Sequence, residues 1–486
     1  MAQVNFIPND PLTVNGPPMR RIQAPLMPTG NAARVAVQPS APGGLFTPHT
    51  QEFDFWQVQT SLIRGLRTWR NLQGSYLPRW FGNRQTLAVL TNAGDDLNAF
   101  YDRDSLQFFS HTFGGKTVHS GESEDIATHE LGHAILDAVR PDFFEVPFVE
   151  AGAVHEAFGD CWAVLTSLQD AGVRRALLQL SPDLGSRQFV SQLAEELGDA
   201  IRREFGAQHV EPGALRRALN TFRWADPATL PANAPAAQLS REVHSFSRVF
   251  TGCFYDTIRN IFNAGSHTST GLRRASLTAG RLLLAALQTV PATARLFEGV
   301  GRRMLQADIT DNASANAAHI RAAFSAHGIT LGAPATSLPV PMERGKAAAT
   351  QRSLLRRLAA PRGAKLSITP VASGLHGDIA HVAAYQALAL SGAGLKGLSI
   401  MVPAVLRVET KGKSIVGTLG EAVPVARDAE VDAQAFAQAL VANGDLDTGR
   451  GMARRGRLRP PSHAVKTVRG RRVIVRLGFA CGPRLS

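Results

Sequence analysis

The strongest constraint on the fold of this chain is the segment 125–137 (DIATHELGHAILD), which places His129 and His133 four residues apart. The segment lacks proline, its apolar residues recur at helical spacing, and Ser123 just before it is a favourable N-cap. We therefore predict a helix here. Residues four apart lie on one face of a helix, so both imidazoles can reach a single metal ion. Glu130 lies one position round the helix, close to such an ion without having to be a ligand.

A second helical pattern follows at 150–160 (EAGAVHEAFGD), where Glu156 and Asp160 are again four residues apart. A tetrahedral catalytic zinc site takes three protein ligands and one water, so two histidines leave one ligand to find. Glu156 is the candidate for that ligand. Asp160 is expected to accept a hydrogen bond from the ligand-histidine nitrogen that faces away from the metal. His155 is expected to point away from this face and to be structural or solvated.

The pattern H-E-x-x-H, followed by a later glutamate and by an aspartate four residues after it, resembles the thermolysin family of gluzincin zinc metallopeptidases. The resemblance covers about 46–329 and includes Gly152 and Ala153 ahead of the glutamate. It implies an α+β fold of two lobes, with a mixed α/β N-terminal lobe and a mainly helical C-terminal lobe. It also implies Zn²⁺ as the cofactor, held by the two histidines and the later glutamate, with Glu130 as the general base.

The same resemblance points to residues that would contact a peptide substrate. The segment 98–101 (NAFY) is similar to the family's edge strand, so Asn98 and Ala99 would pair with an extended peptide by β-augmentation. An ordinary edge strand is the alternative. Arg223 is the candidate for the family's arginine that contacts the substrate carbonyl, and a surface arginine is the alternative. His244, in a Val-His pair that opens a helix, would stabilise the tetrahedral oxyanion.

Three features depart from the family. Pro147 occupies the position of a tyrosine nine residues before the glutamate ligand, which removes one oxyanion donor. The aspartate that supports the family's oxyanion histidine has no counterpart, and Glu242 is the candidate replacement. The family's calcium-binding acids are not matched as a set beyond Asp125, so the sequence gives no readable calcium site.

The resemblance, together with length and composition, implies a chain of five regions. An extended, proline-rich tail is expected at 1–48. The N-terminal lobe, with the edge strand and the histidine helix, is expected at 49–148, and the helical lobe at 149–330. Residues 331–350 are rich in Pro, Ala, Gly and Ser and are expected to be a linker. Residues 351–486 are expected to form a small basic module rich in β-structure, of no recognised family.

The positive charge of the chain is concentrated in its last third. The whole chain has a formal net charge of +13, whereas residues 331–486 alone carry 23 Lys and Arg against 9 Asp and Glu. This asymmetry supports a separate basic module there, either a solvated face or a contact for a polyanion. Few aromatic residues accompany the arginines, which disfavours base stacking, and no sequence-specific nucleic-acid motif is present. The clustered residues are Arg454, Arg455, Arg457 and Arg459, followed by Lys466, Arg469, Arg471, Arg472 and Arg476.

Nothing in the sequence predicts a membrane span or a secretory signal. No run of eighteen uncharged apolar residues occurs, and the N terminus lacks the apolar core of a signal peptide. A cytoplasmic location or export by a non-classical route is therefore expected. The three cysteines, Cys161, Cys253 and Cys481, have no metal-like spacing, and the first two are expected to be buried free thiols.

Two functions remain open at this point. The first is a zinc metalloendopeptidase that acts on protein or peptide substrates, in which a metal-activated water attacks the peptide carbonyl and Glu130 takes its proton. The second is a catalytically weak zinc-binding scaffold whose basic module binds an anionic partner. The departures at Pro147 and at the missing aspartate motivate the second. The presence of Glu130 favours the first, since a purely structural metal site has no need of that acid.

Overall fold

The computed structural model describes residues 2–334, 339–341, 347–360, 364–374, 377–411, 414–419, 422–425, 427–448, 461–468 and 470–480. The fold is mixed α+β. The α-helices are α1 Gln51–Gln73, α2 Glu124–Val139, α3 Asp142–Glu145, α4 Val149–Ser167, α5 Ala171–Leu180, α6 Glu195–Phe205, α7 Val243–Asn263, α8 Ser269–Thr289, α9 Leu296–Asn312, α10 Ala317–Ala326, α11 Ala347–Arg357 and α12 Arg427–Ala442. The first ten strands are β1 Gln3–Phe6, β2 Arg20–Gln23, β3 Arg34–Gln38, β4 Thr86–Leu90, β5 Ala99–Tyr101, β6 Ser105–Phe108, β7 Ser110–Phe113, β8 Lys116–His119, β9 Gln192–Leu193 and β10 Arg216–Arg217. The remaining strands are β11 Pro339–Pro341, β12 Leu366–Gly374, β13 Gly377–Ala389, β14 Ser399–Lys411, β15 Ser414–Leu419, β16 Leu446–Asp447, β17 His463–Val468, β18 Arg471–Arg476 and β19 Phe479–Ala480.

The predicted helix at 125–137 is confirmed as α2. The Ser123 side chain accepts a hydrogen bond from the backbone N–H of Ile126 at 3.4 Å, and two acidic residues occupy the first turn. Both features suit the positive end of a helix dipole. The helix is buried along nearly its whole length, because α1 and α4 pack on it. It therefore lies in the core of the molecule, with most of its side chains out of contact with solvent.

A five-stranded sheet lies beside these helices, in the order β19-β5-β6-β4-β3. Strands β5 and β6 form a hairpin, since they pair antiparallel across the turn at 102–104. The sheet contains strands from both ends of the chain. Strand β3 pairs parallel with β4, and β19 pairs antiparallel with β5.

The first 48 residues do not form the extended tail that their proline content predicts. Strand β3 is a full member of the five-stranded sheet, and β1 pairs with β2. Val4 and Phe6 are fully buried, and the backbone carbonyl of Asn9 accepts a hydrogen bond from the N–H of Glu124 at the start of α2. Alternation of Val4 and Phe6, and of Val35 and Val37, marks these strands.

The C-terminal third is rich in β-structure, as expected. Its sheet contains β11 to β18, with β13 and β14 as the long central pair, and α12 packs on β14. Of the predicted linker, residues 335–338 and 342–346 lie outside the described residues.

This region is not a separate module. Leu390, Ile400 and Phe436 belong to the same apolar cluster as Leu131 on α2, so one core is continuous across the two parts. The Asp432 carboxylate on α12 also accepts a hydrogen bond from the N–H of Val149, the first residue of α4. The C-terminal third therefore supports the helix that carries Glu156 and Asp160.

The basic residues of the last third that the structure describes differ in their exposure to solvent. Arg454, Arg455, Arg457, Arg459 and Arg469 lie outside the described residues. Lys466, Arg471 and Arg472 are exposed. Arg476, by contrast, turns its guanidinium inward and donates to the carbonyl of Phe144 at 2.9 Å, so it is not part of a solvated face.

Cys161 and Cys253 are buried free thiols, as expected, and Cys481 lies outside the described residues. Burial raises the pKa of both described thiols well above the usual value, which keeps them protonated and unreactive. Within the described part of the chain, no helix combines the length and the apolar character needed to cross a bilayer.

Candidate metal centre

Two glycines bring α2 and α4 close together. A Cβ atom on Gly132 would lie 2.8 Å from the Cα atom of Gly159, a separation that real side chains do not adopt. Both positions must therefore be glycine for the helices to pack at this distance. Close packing at this point sets the Glu156 and Asp160 side chains of α4 against the histidines of α2.

The three predicted ligands converge. The Nε2 atom of His129 lies 3.5 Å from one carboxylate oxygen of Glu156, and the Nε2 atom of His133 lies 3.8 Å from the other. Two ligands of one tetrahedral zinc ion are expected about 3.3 Å apart, given metal–ligand bonds of about 2.0–2.1 Å. The Nε2 atom of His133 is buried and has no hydrogen-bond partner in the part of the chain that the structure describes. The side chains present therefore fit a metal ion between them.

His129 is oriented by Asp160. The Nδ1 atom of His129 lies 2.9 Å from a carboxylate oxygen of Asp160, and Arg216 donates to the same carboxylate at 3.0 Å. Burial opposes the charge on Asp160, but Arg216 and His129 outweigh it and hold the pKa of this carboxyl below its usual value. An ionised Asp160 fixes the proton of His129 on Nδ1 and leaves Nε2 to face the metal position.

His133 is oriented by His155, which the sequence analysis expects to point away. The two Nδ1 atoms lie 2.8 Å apart, and His155 is fully buried. Burial lowers the pKa of both imidazoles well below the usual value, so both are neutral. If His133 presents its Nε2 lone pair to a metal, its Nδ1–H donates to His155. Residue spacing along α4 predicts the direction of the Cβ atom of His155. It does not predict that the imidazole reaches across to the neighbouring helix.

Glu130 belongs to the same cluster as the two histidines. Its carboxylate and the nitrogens of His129 and His133 all lie within 4.8 Å of one another. The residue is fully buried. A carboxylate at this distance can exchange a proton with a water held in the cluster.

His244 reaches the same cluster from α7. Its Nε2 atom lies 3.3 Å from Glu156, and its Nδ1 atom lies 2.6 Å from Glu242. Glu242 is the N-cap of α7 and also accepts a hydrogen bond from the N–H of Ser245 at 3.0 Å. The carboxylate is thus fixed by the helix end and orients the imidazole, the supporting role for which the family has an aspartate.

The predicted substrate-binding edge, Asn98 and Ala99, is buried, and the strand it begins is already paired. Strand β5 bonds β6 on one side and β19 on the other, with Phe479 opposite Tyr101 and Ala480 opposite Phe100. The Nδ2 atom of Asn98 donates to Asp96 at 3.3 Å. A segment of the chain itself therefore pairs with Phe100 and Tyr101, the two residues that follow the predicted substrate-binding pair.

This segment reaches the centre of the cluster. The carbonyl oxygen of Ala480 lies 2.8 Å from the Nε2 atom of His244. The Phe479 ring stacks on His155 with centroids 4.0 Å apart and on His133 with centroids 4.7 Å apart. The guanidinium of Arg476 lies 4.2 Å from the centre of the same ring. A cavity of about 30 Å³ is left beside these residues.

The structure does not bring Arg223 to the site. This residue is exposed and donates to the carbonyl of Ala326 at 2.8 Å. The arginine that the structure places beside the histidines is Arg216 on β10, which is buried and bonds Asp160. Both lie in the stretch that the resemblance singles out. The sequence signal for Arg216 was the adjacent pair of arginines at 216–217. An arginine is rarely buried unless a specific partner holds it.

Asp125 lies in a separate group of buried acids with Asp10 and Glu195. Burial, together with the neighbouring acids, raises the pKa of Asp125 well above the usual value. Asn9 donates to its carboxylate at 2.8 Å. We assign no calcium ion to this group.

Comparison with known proteins adds no family to these observations. None of the protein-family models matches the chain, and no curated protein matches it as a relative.

Proposed function

We propose that this protein is a zinc-dependent peptide-bond hydrolase. The observation that carries the proposal is the convergence of His129, His133 and Glu156 with the carboxylate of Glu130 beside them. Two imidazoles and one carboxylate are a donor set that zinc favours, and three protein ligands leave a position for water, as catalytic sites require. Asp160 and His155 orient the two imidazoles, which is how ligand histidines are usually held.

Each residue has a role that its position permits. A zinc ion at this site would lower the pKa of a bound water and polarise a carbonyl oxygen. Glu130 accepts the proton of the attacking water and then delivers it to the leaving amine. His244, held by Glu242, donates to the oxygen on which negative charge develops. The substrate lies extended along β5, and backbone hydrogen bonds hold it.

The β-strand pairing supports a peptide as the substrate class. The edge of β5 accepts an extended backbone, since β19 pairs with it, and His244 then meets a backbone carbonyl oxygen. A site built for a small polar molecule would have no need of a strand that pairs with an extended backbone. The scaffold alternative explains the histidines and Glu156, but it assigns no role to Glu130, Glu242 and His244.

The proposal is tested with a fluorogenic peptide and zinc-loaded protein. Glu130→Gln should retain one zinc in this site and lose about 10²–10⁴-fold in kcat, the usual contribution of a general base. Glu145→Gln is the matched control, since Glu145 is an exposed carboxylate outside the site. His133→Ala should lose both the zinc and the activity. Equal turnover in Glu130→Gln and Glu145→Gln would rule out the proposed mechanism.

A further inference from the structure

We propose that residues 477–480 occupy the substrate position of this site, so that the chain is its own competing ligand and a peptide substrate must displace them. The inference rests on the proposed function and adds to it the substrate class and a form of control. It assigns to the site an extended peptide with an aromatic residue followed by a small one.

The backbone of this segment lies where a peptide would lie. It runs antiparallel to β5, in register with Tyr101 and Phe100. Its Ala480 carbonyl oxygen is 2.8 Å from the Nε2 atom of His244, the group assigned to the oxyanion. A carbonyl at this point is the one that the cluster is arranged to attack.

The side chains of the segment fill a defined subsite. Phe479 is 2% exposed and stacks nearly parallel to His155 and His133, with interplanar angles of 18° and 16°. Arg476 covers the ring from another side. This arrangement selects a flat aromatic side chain at the residue before the small one.

Gly478 shows how closely the segment approaches β5. A Cβ atom at this position would lie 2.5 Å from Cζ of Phe100 and 2.7 Å from the carbonyl oxygen of Tyr101. The second contact is with backbone, which cannot rotate away. Any side chain at Gly478 therefore pushes the segment off the strand, while the ligand residues and Glu130 stay untouched.

The segment is tethered on one side only within the described residues. The N–H of Leu477 donates to the carbonyl of Ser462 at 2.7 Å, and β18 immediately precedes the segment. A short tether gives a local concentration on the order of millimolar, so a segment that binds at about 0.1 mM when free would suppress activity about tenfold.

The experiment compares Gly478→Ala with Gly332→Ala. A Cβ atom on Gly332 meets only the Nε atom of Arg302 at 3.9 Å, so the same chemical change is harmless there. Gly478→Ala should raise kcat/KM on a fluorogenic peptide about tenfold or more, and Gly332→Ala should match wild type. Phe479→Ala, which removes the stacked ring, is the second variant and should have the same effect.

A binding readout separates this inference from the proposed function. A fluorescein-labelled peptide with the sequence of residues 474–480 (IVRLGFA) should bind zinc-loaded Gly478→Ala at least about tenfold more tightly than wild type. The same peptide with alanine in place of the phenylalanine should bind about tenfold more weakly, since the buried ring is lost. Equal binding to wild type and to both variants would overturn the inference. Tighter binding by the variants without hydrolysis would uphold it while rejecting the hydrolase.

A second cluster carries an independent inference. We infer that Asp54, His119 and Glu122, with His49 at the opening, bind a second divalent metal ion such as Zn²⁺. Ligand atoms of the first three lie within 4.8 Å of one another. The Nδ1 atom of His49 lies 3.4 Å from Glu122, and the rings of the two histidines have centroids 5.3 Å apart. Imidazole and carboxylate donors in this number are a set that zinc accepts.

Two buried carboxylate oxygens of the cluster accept no hydrogen bond within the described part of the chain. Oδ1 of Asp54 and Oε2 of Glu122 are buried and have no hydrogen-bond partner among the residues that the structure describes. Glu122 is fully buried and Asp54 is 4% exposed. Two neighbouring buried carboxylates need a shared proton or a cation, and the half-exposed His49 provides the entry path.

Zinc stoichiometry tests this second inference. After dialysis against equal micromolar zinc, wild type should hold two ions per chain, His119→Gln one, and His133→Ala one. His119→Gln should keep its peptide hydrolysis, because the residue lies outside the catalytic cluster. His49→Ala, at an exposed position, is the variant to use if His119→Gln does not fold. It should weaken the binding of the second ion about tenfold or more. A single ion in wild type, or two ions in both His119→Gln and His49→Ala, would overturn the inference.

Discussion

A Cβ atom on Gly159 would lie 2.6 Å from the imidazole ring of His129. The glycine on α4 thus provides the space that the ligand histidine on α2 occupies. The ring has no freedom to move aside, because Asp160 holds its Nδ1 atom at 2.9 Å. The close packing of α2 against α4 therefore also fixes the position of the His129 ring.

This relationship predicts the effect of Gly159→Ala. In a helix interior, replacing glycine by alanine normally adds up to about 1 kcal/mol of stability. Here the added methyl group collides with a fixed ring, and overpacking of this kind costs about 1–3 kcal/mol. We expect a lower free energy of unfolding and weaker zinc binding, measured by chemical denaturation and by competition with a zinc chelator. Gly332→Ala is the control, and an unchanged zinc affinity in Gly159→Ala would contradict the packing argument.

His155 is expected to affect metal affinity although it is not a ligand. His155→Ala removes the acceptor for the Nδ1–H of His133, and loss of such a partner usually weakens metal binding about 10–100-fold. His155→Asn should restore most of the affinity, because its amide oxygen can accept the same hydrogen bond. Zinc dissociation constants of the three proteins decide the point. If the asparagine variant binds zinc no better than the alanine variant, His155 acts only by filling space.

His244 and Glu242 are expected to affect turnover and not binding. His244→Ala should lower kcat about 10²–10³-fold with little change in KM, as for loss of an oxyanion donor. Glu242 is a positioning residue, so Glu242→Ala should lower kcat less, and Glu242→Gln should recover part of the loss because its oxygen still accepts from the imidazole. Steady-state kinetics with zinc content measured in parallel provide the test. A rise in KM alone would assign both residues to substrate binding.

The sequence predicts the helices and the position of the metal cluster well because both depend on local spacing. The four-residue intervals from His129 to His133 and from Glu156 to Asp160 match the helical repeat, and α2 begins where its cap and apolar spacing place it. Such features need no knowledge of distant contacts.

Long-range contacts explain most of what the sequence does not predict. Pairing of β19 with β5 joins residues nearly 400 positions apart, and two-residue strands have no readable periodicity. The net charge of the last third differs from that of the rest of the chain. Charge does not predict packing, however, and Phe436 and Leu131 belong to one continuous core. The contact between Arg216 and Asp160 is also not predicted, since only the folded chain brings these two residues together.

The contact between Asp432 and Val149 predicts a pH-dependent stability. Burial raises the pKa of Asp432 to about 7, against the opposing hydrogen bond from the N–H of Val149. The folded state therefore keeps a proton that the unfolded chain releases near pH 4, so stability present below that pH is lost as the pH rises towards 7. The loss approaches about 1.4 kcal/mol per pH unit for one group.

Asp432→Asn isolates this effect, because asparagine still accepts from Val149 but does not ionise. As the pH rises from about 4 to about 7, the unfolding free energy of wild type should fall relative to that of Asp432→Asn. Denaturant titrations at several pH values measure it, and the subtraction cancels titration of the other acids. If wild type instead gains on the variant over this range, Asp432 is ionised in the folded protein. In that case α12 would hold α4 through a charge at the helix N terminus and not through a neutral carboxyl group.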